Sequence, residues 1–308
     1  MQIIVTGTLG YDYIMDFAGR FADRIMPDKI HKISLSFLVD KLSKNFGGTA
    51  GNIAYSLKLL GENPLIVAPA GDDFGPYAVF LKKHSVDTRG IKIYPKEMTG
   101  SYFVVTDKED NQIGSFYSGA TRHAKELTVS GAAFALIAPT QPEAMKKYVL
   151  ECKKDKIPYL YDPAFQIDSF SKEELREGIT GAEIFIGNDY EIALVEQKLG
   201  ISHEELRTMV PVLITTLGSK GSIVETRNES IHIRPAKPKK ITDPTGAGDA
   251  YRSGFLAGFL HKLPLVVCGQ MGSVAAVYSV ETYGTATHYY TREAFNKRYK
   301  ENYGKSLL

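Results

Sequence analysis

The chain has 308 residues, 44% of them hydrophobic and 23% charged, with 37 Lys and Arg against 35 Asp and Glu. That length supports a large buried core, and that composition is ordinary for a soluble globular protein. A net charge of +2 leaves no electrostatic footprint for nucleic acid or an anionic membrane, while Cys152 and Cys268 lack metal-ligand spacing, which argues against a disulfide framework and for a reducing, cytoplasmic compartment.

Met1 to Gly7 reads as a strand, Ile3–Val5, entering a glycine turn; it lacks the basic flank and apolar stretch of a signal peptide. Residues 11 to 45 carry two β-like runs, Tyr11–Phe17 and Lys32–Leu38. Asn45-Phe46-Gly47-Gly48-Thr49-Ala50-Gly51-Asn52 then leads into a helix, Asn52–Leu60, with Ile53, Ala54, Leu57 and Leu60 on one face. A strand follows at Leu65–Ala68. Within Gly100–Ser118 two further β-rich runs flank the polar turn Asp107–Asn111.

Strands are next expected at Phe134–Ile137, Pro158–Tyr161, Ile184–Ile186, Val212–Thr215 and Ser222–Glu225, with helices at Ala144–Lys154 and Tyr190–Leu199 between them. This alternation predicts an α/β fold whose doubly wound, mostly parallel sheet is covered on both faces. One domain spans residues 1–308. The segments at approximately 11–45 and 97–118 break the alternation and are expected to form a small β-sheet lid, a device that excludes water from a site beneath it.

Asp243-Pro244-Thr245-Gly246-Ala247-Gly248-Asp249 carries the strongest chemical signal. Tyr251, Phe255 and Phe259 follow at helical spacing, so Gly246–Gly248 are expected as the first turn of a helix. The N–H groups there have no internal partner, small residues let an anion approach, and the helix dipole favours negative charge. Asp249 falls beside that anion, where a carboxylate serves as a general base for a hydroxyl proton. Three other stretches are less specific when taken alone. Asn45–Asn52 is a loop-to-helix transition with paired glycines, Thr215–Ser222 reads as a hairpin turn, and Asn188-Asp189-Tyr190-Glu191 reads as a helix N-cap. Gly304-Lys305-Ser306 imitates the end of a P-loop, but position 299 is Tyr where that motif requires Gly.

Together, Asn45–Asn52 and Asp243–Gly254, in this order and nearly 200 residues apart, resemble the paired signatures of the ribokinase (PfkB) family of sugar and nucleoside kinases. Gly19-Arg20-Phe21, His31–Asp40, Ser115-Phe116-Tyr117 and Asp162-Pro163 resemble the bacterial adenosine kinases in particular. So does Pro244, where many sugar kinases of the family have Thr or Ser. The resemblance implies a ribokinase-like α/β/α sandwich with a β-lid, and a purine-salvage reaction in which MgATP phosphorylates adenosine at its 5′-hydroxyl.

It further implies Asp249 as the base and Gly246, Ala247 and Gly248 as the anion hole, with Arg252 either adding charge near the phosphates or packing on the helix face. Asp12 would accept the ribose hydroxyls, closed in by Gly47, Gly48 and Asn52, with Thr8 and Ser36 nearby. Tyr102 and Phe116 would stack on the purine. Tyr102 and its neighbour Phe103 point to opposite faces of a strand, so only one of the two can do so. Gln166 would read the edge of the base. Thr216, Gly218 and Gly221 would line the ATP groove, with Asn188 near the phosphates and Ser273 near the adenine. Glu191 would hold Mg²⁺ through water, and Asp243, Thr245 and Gly284 would surround a monovalent cation, K⁺. The expected partner is the small-molecule substrate, adenosine; lid strands with exposed edges invite pairing as a homodimer. Two other functions fit the same motifs: a kinase for another nucleoside or for ribose or fructose, and a nucleotide- or nucleoside-binding sensor without catalysis.

Overall fold

A computed structural model describes residues 2–32, 34–109 and 111–307. Ile33, inside an expected strand, and Asp110, inside the expected lid turn, lie outside the described residues. In chain order the strands are β1 (Ile3–Thr6), β2 (Gly10–Asp16), β3 (Lys41–Gly47), β4 (Pro64–Gly71), β5 (Ile91–Tyr94), β6 (Gly100–Thr106), β7 (Gln112–Tyr117), β8 (Phe134–Ile137), β9 (Tyr159–Tyr161), β10 (Ile184–Asn188), β11 (Val212–Thr216), β12 (Ser222–Glu225) and β13 (Ser230–Ile233). The helices are α1 (Thr49–Leu59), α2 (Gly75–Lys83), α3 (Pro142–Asp155), α4 (Lys172–Thr180), α5 (Asp189–Leu199), α6 (His203–Met209), α7 (Ala247–Leu260), α8 (Leu265–Val280) and α9 (Arg292–Tyr303).

Nine strands form the main sheet in the order β13-β12-β11-β10-β9-β8-β1-β4-β5. The run from β11 to β5 is parallel throughout, and β12 and β13 are added antiparallel. Successive side chains of a strand point to opposite faces, and the core divides accordingly. Ile3 and Val5 of β1 face one apolar layer with α1, α7 and α8, whereas Ile4 faces a second layer with α3, α4 and α5. Because both faces are buried, the strands read as continuous apolar runs rather than as alternating ones.

The second sheet has four strands in the order β3-β2-β6-β7 and forms the β-lid. Its third and fourth strands lie where the sequence places them. In the first lid segment the sequence reading needs correction: the second strand is Lys41–Gly47, whereas Lys32 ends a 3₁₀ turn and residues 34–38 form no regular element. Backbone pairing decides this, since β3 pairs along its whole length with β2, from Gly10↔Gly47 to Asp16↔Lys41.

Candidate active site

The catalytic helix starts one residue later than its glycines suggest. Gly246 adopts φ 80° and caps α7, which begins at Ala247. The Ala247 N–H turns back to the Pro244 carbonyl at 3.2 Å, while the N–H groups of Gly248 and Asp249 meet no backbone carbonyl among the described residues. Free donors, a positive helix end and no bulky side chain make an anion site of this turn. The loop before it is pinned by Asp243, whose two carboxylate oxygens accept the N–H of Thr245 (2.9 Å) and of Gly284 (3.0 Å). Asp243, Thr245 and Gly284 are thereby brought together.

Asp249 lies half-buried one turn into this arrangement and accepts a 2.9 Å hydrogen bond from the Asn52 amide of α1. Burial pushes its carboxyl from 3.8 up to about 6, against the opposing pull of Arg252 and of the Asn52 bond. Arg252 is buried. It forms an ion pair with Asp162, at the end of β9, with Nε 2.5 Å from the carboxylate. A Cβ at Gly248 would stand 2.7 Å from its Nη1, so the guanidinium lies directly against the anion-hole turn. The structure shows Arg252 in a buried ion pair, with its guanidinium beside Gly248. Its field reaches Glu191 as well as Asp249.

A cavity of about 340 Å³ opens in front of Asp249. Asp12, Gly48 and Asn52 line it, together with Thr8. Burial pushes the Asp12 carboxyl up to about 6, and the nearby Asp249 and Asp243 add to that. Gly47 makes room for this carboxylate, since a Cβ there would lie 2.2 Å from Asp12 Oδ2. Thr8 and Thr49 exchange backbone-to-hydroxyl bonds at 3.3 Å, which ties β1 to the start of α1. Tyr102 and Phe116, cross-strand partners in the lid, line the same cavity, with Tyr102 also the register partner of Asp12. Phe103 points away and stacks on Tyr13 with ring centroids 4.7 Å apart. That settles which of the two adjacent aromatics faces the cavity.

Three residues expected at this cavity are not among its lining: Gly47, which stands behind the Asp12 carboxylate, Ser36 and Gln166. Ser36 is exposed in the irregular segment before β3. Gln166 uses its side-chain oxygen to accept from Ser169 at 3.0 Å. Its neighbour Phe165 reaches the cavity instead and remains 65% exposed. Ala164, at φ 42°, sets that direction. Thr285 also lines the cavity, held by its hydroxyl bond to the Phe46 carbonyl at 2.7 Å. A ring after Asp162-Pro163 was readable as a sequence signal for Phe165; Thr285 offers none.

Asn188 and Thr216 are register partners at the C-terminal ends of β10 and β11. Asn188 and Glu191 form a reciprocal capping box, with bonds of 2.8 and 2.7 Å. Glu191 is raised from its usual range, first by burial, while the Asn188 N–H and Arg252 pull it down and Asp162 pushes it up. Gly218 and Gly221 sit in the β11–β12 connection with φ 57° and 94°, and a Cβ at Gly221 would strike the Ile233 carbonyl at 2.1 Å. The turn is a hairpin connection between the antiparallel strands β11 and β12. Ser273 is buried on α8, where its hydroxyl accepts the Ala236 N–H at 2.8 Å. Among the described residues, no three His, Cys, Asp or Glu side chains gather as a metal cluster, and no helix is long and apolar enough to cross a membrane.

The sequence matches the profile of the pfkB family carbohydrate kinases over residues 12–292. It is 31% identical over 291 residues to a nucleoside kinase of Methanocaldococcus jannaschii, covering 93% of each chain. The fold superposes on the Burkholderia thailandensis nucleoside kinase in complex with inosine with a TM-score of 0.89, at 31% identity and 99% coverage of both chains. It also superposes on the ADP-inosine complex of that kinase, with a TM-score of 0.87, 32% identity and coverage of 99% and 97%. The chain belongs to the pfkB carbohydrate kinase family and is a phosphotransferase acting on an alcohol group.

Proposed function

We propose that the protein transfers the γ-phosphoryl group of ATP to the 5′-hydroxyl of a purine nucleoside, with adenosine the preferred acceptor, giving a nucleoside monophosphate and ADP. One observation carries this reading: a single cavity is lined both by the carboxylates of Asp12 and Asp249 and by the rings of Tyr102, Phe116 and Phe165. A ribose fits between carboxylates, and a base fits between rings. A bare sugar would leave those rings without a partner, which favours the nucleoside over ribose or fructose. The inosine held by the Burkholderia relative agrees with a purine.

In this mechanism Asp12, an acceptor when ionised, takes hydrogen bonds from two ribose hydroxyls and fixes the sugar. Asp249 takes the 5′-OH proton as that oxygen attacks the γ-phosphorus, and the bond to the departing ADP breaks in line. The free N–H groups at the start of α7 and the charge of Arg252 stabilise the transferring group, each donor contributing about 3 to 4 kcal/mol. Mg²⁺ supplies neutralising charge on the phosphates. Asp162, Glu191 and Asp249 surround the one guanidinium of Arg252, an excess of negative charge that suits a divalent cation, and Glu191 would hold it through water. Asn188, Thr216, Gly218 and Gly221 would take the nucleotide. Asp243, Thr245 and Gly284 are the proposed surroundings of a monovalent cation.

An ADP-release assay across adenosine, inosine, cytidine, ribose and fructose tests the proposal. Adenosine should give the highest kcat/KM, with the sugars lower by at least a hundredfold. Turnover of ribose faster than any nucleoside would overturn it.

A further inference from the structure

A second cleft, of about 460 Å³, lies where β3 crosses α1, α2 and the segment after α8. Aromatic rings wall it. Phe46 and Phe80 stand 4.9 Å apart, Phe80 and His84 4.6 Å, and Tyr55 and Phe80 5.5 Å between centroids. Tyr289, 67% exposed, stands at its rim. No carboxylate lines the cleft. Lys44, also on its wall, is exposed, and its ammonium stands 3.7 Å from the centroid of the Tyr11 ring and 5.4 Å from that of Tyr13.

None of these side chains has a part in nucleoside binding or phosphoryl transfer as derived above. Their chemistry nevertheless selects one class of ligand. Ring faces take a flat ring, an exposed ammonium that can leave its ring contacts takes an anion, and a lining without a carboxylate leaves that anion unopposed. We propose that this cleft is a second ligand site, for a small aromatic anion. Its location also connects it to catalysis. Thr287 and Ala286 line the cleft, while the preceding Thr285 lines the nucleoside cavity and packs beside Gly246. Thr285 is in turn bonded to the carbonyl of Phe46, a wall of the cleft. An occupant therefore presses on the loop that braces the anion hole.

The test is a fluorescence titration with 8-anilinonaphthalene-1-sulfonate on the full chain, with adenosine and ADP saturating so that the first site is filled. One equivalent should bind. Lys44→Gln and Tyr289→Ala should each weaken it about tenfold or more, the loss expected for a charge-assisted or stacking contact. Both variants alter exposed side chains and should keep adenosine KM within about twofold of wild type, and Lys44→Arg should restore binding. The dye should be displaced by 4-hydroxybenzoate or by inosine 5′-monophosphate, the arm that succeeds identifying carboxylate or phosphate as the anionic group. Dye binding abolished by adenosine and ADP, unchanged binding in both variants, or displacement by neutral phenol as effective as by 4-hydroxybenzoate would each overturn the proposal.

Discussion

Replacing Asp249 with Asn keeps the size of the side chain while removing its ability to take a proton, so stability and activity should move in opposite directions. The residue is half-buried and its carboxyl raised from 3.8 to about 6. Each pH unit of displacement corresponds to about 1.4 kcal/mol, so ionised Asp249 costs the fold about 3 kcal/mol above that range. A group whose folded pKa is raised contributes its full stability below the unfolded value and loses it as pH rises through the folded one. The wild type should therefore lose ground between about pH 4 and pH 7 and then level off. Asn does not titrate. Its margin over the wild type should open across the same window, reaching about 3 kcal/mol less roughly 1 kcal/mol for a weakened bond to Asn52. Turnover should fall by about 10²- to 10⁴-fold with the base removed, while nucleotide binding stays largely intact. Urea unfolding at pH 4.5 and pH 8, paired with the ADP-release assay, reads both quantities. Wild-type turnover in the variant would refute the catalytic assignment, and a margin that does not change with pH would refute the electrostatic one.

Three further substitutions probe separate parts of the site. The chain contains no Trp, so Phe165→Trp places a single indole on the cavity wall; its emission should shift on adding adenosine but not ribose, and no response to adenosine would put the base elsewhere. Asp162→Asn strands the buried guanidinium of Arg252 and should cost about 3 to 5 kcal/mol of stability, with a loss under about 1 kcal/mol in thermal unfolding contradicting the pairing. Gly47→Ala puts a methyl where the Asp12 carboxylate now lies, and should raise nucleoside KM at least about tenfold by displacing that acceptor while leaving ATP KM unchanged; equal effects on both substrates would assign Gly47 to folding instead.

The parts of this molecule that were legible in its sequence are those where one physical cause dominates. The parallel strands are buried on both faces, so apolar runs such as Phe134–Ile137 mark them directly. The start of α7 is marked by its glycines, of which Gly246 takes the left-handed cap. The strand β3 was missed for the opposite reason. Its sequence, Lys41-Leu42-Ser43-Lys44-Asn45-Phe46-Gly47, is largely exposed and lacks a hydrophobic period; pairing with β2 holds it. The apolar residues before it, by contrast, turn Phe37 toward Phe17 and Phe21 without making a strand. Phe165 escaped for a local reason. The left-handed Ala164 directs its ring to the cavity, and no propensity scale forecasts that conformation for alanine.

Asp12 and Asp249 share one cavity, both raised to about 6, and each must be ionised for its proposed task. Asp249 also raises Asp12, so the two titrate as a coupled pair in the free enzyme. Nucleoside binding changes this. Two ribose hydroxyls donate more strongly to both oxygens of ionised Asp12 than to its protonated form, so the bound sugar disfavours that proton and leaves Asp249 as the main titrating group. The profile of kcat/KM, which reports on free enzyme, should then fall with a slope approaching two below about pH 6, while kcat, which reports on the complex, falls with a slope of one. Asp12→Asn should reduce the kcat/KM slope to one and shift its midpoint downward, because a neighbouring negative charge has gone. A slope of one in the wild-type kcat/KM profile would mean that Asp12 does not need its charge to bind substrate, and the ribose assignment would fall with it.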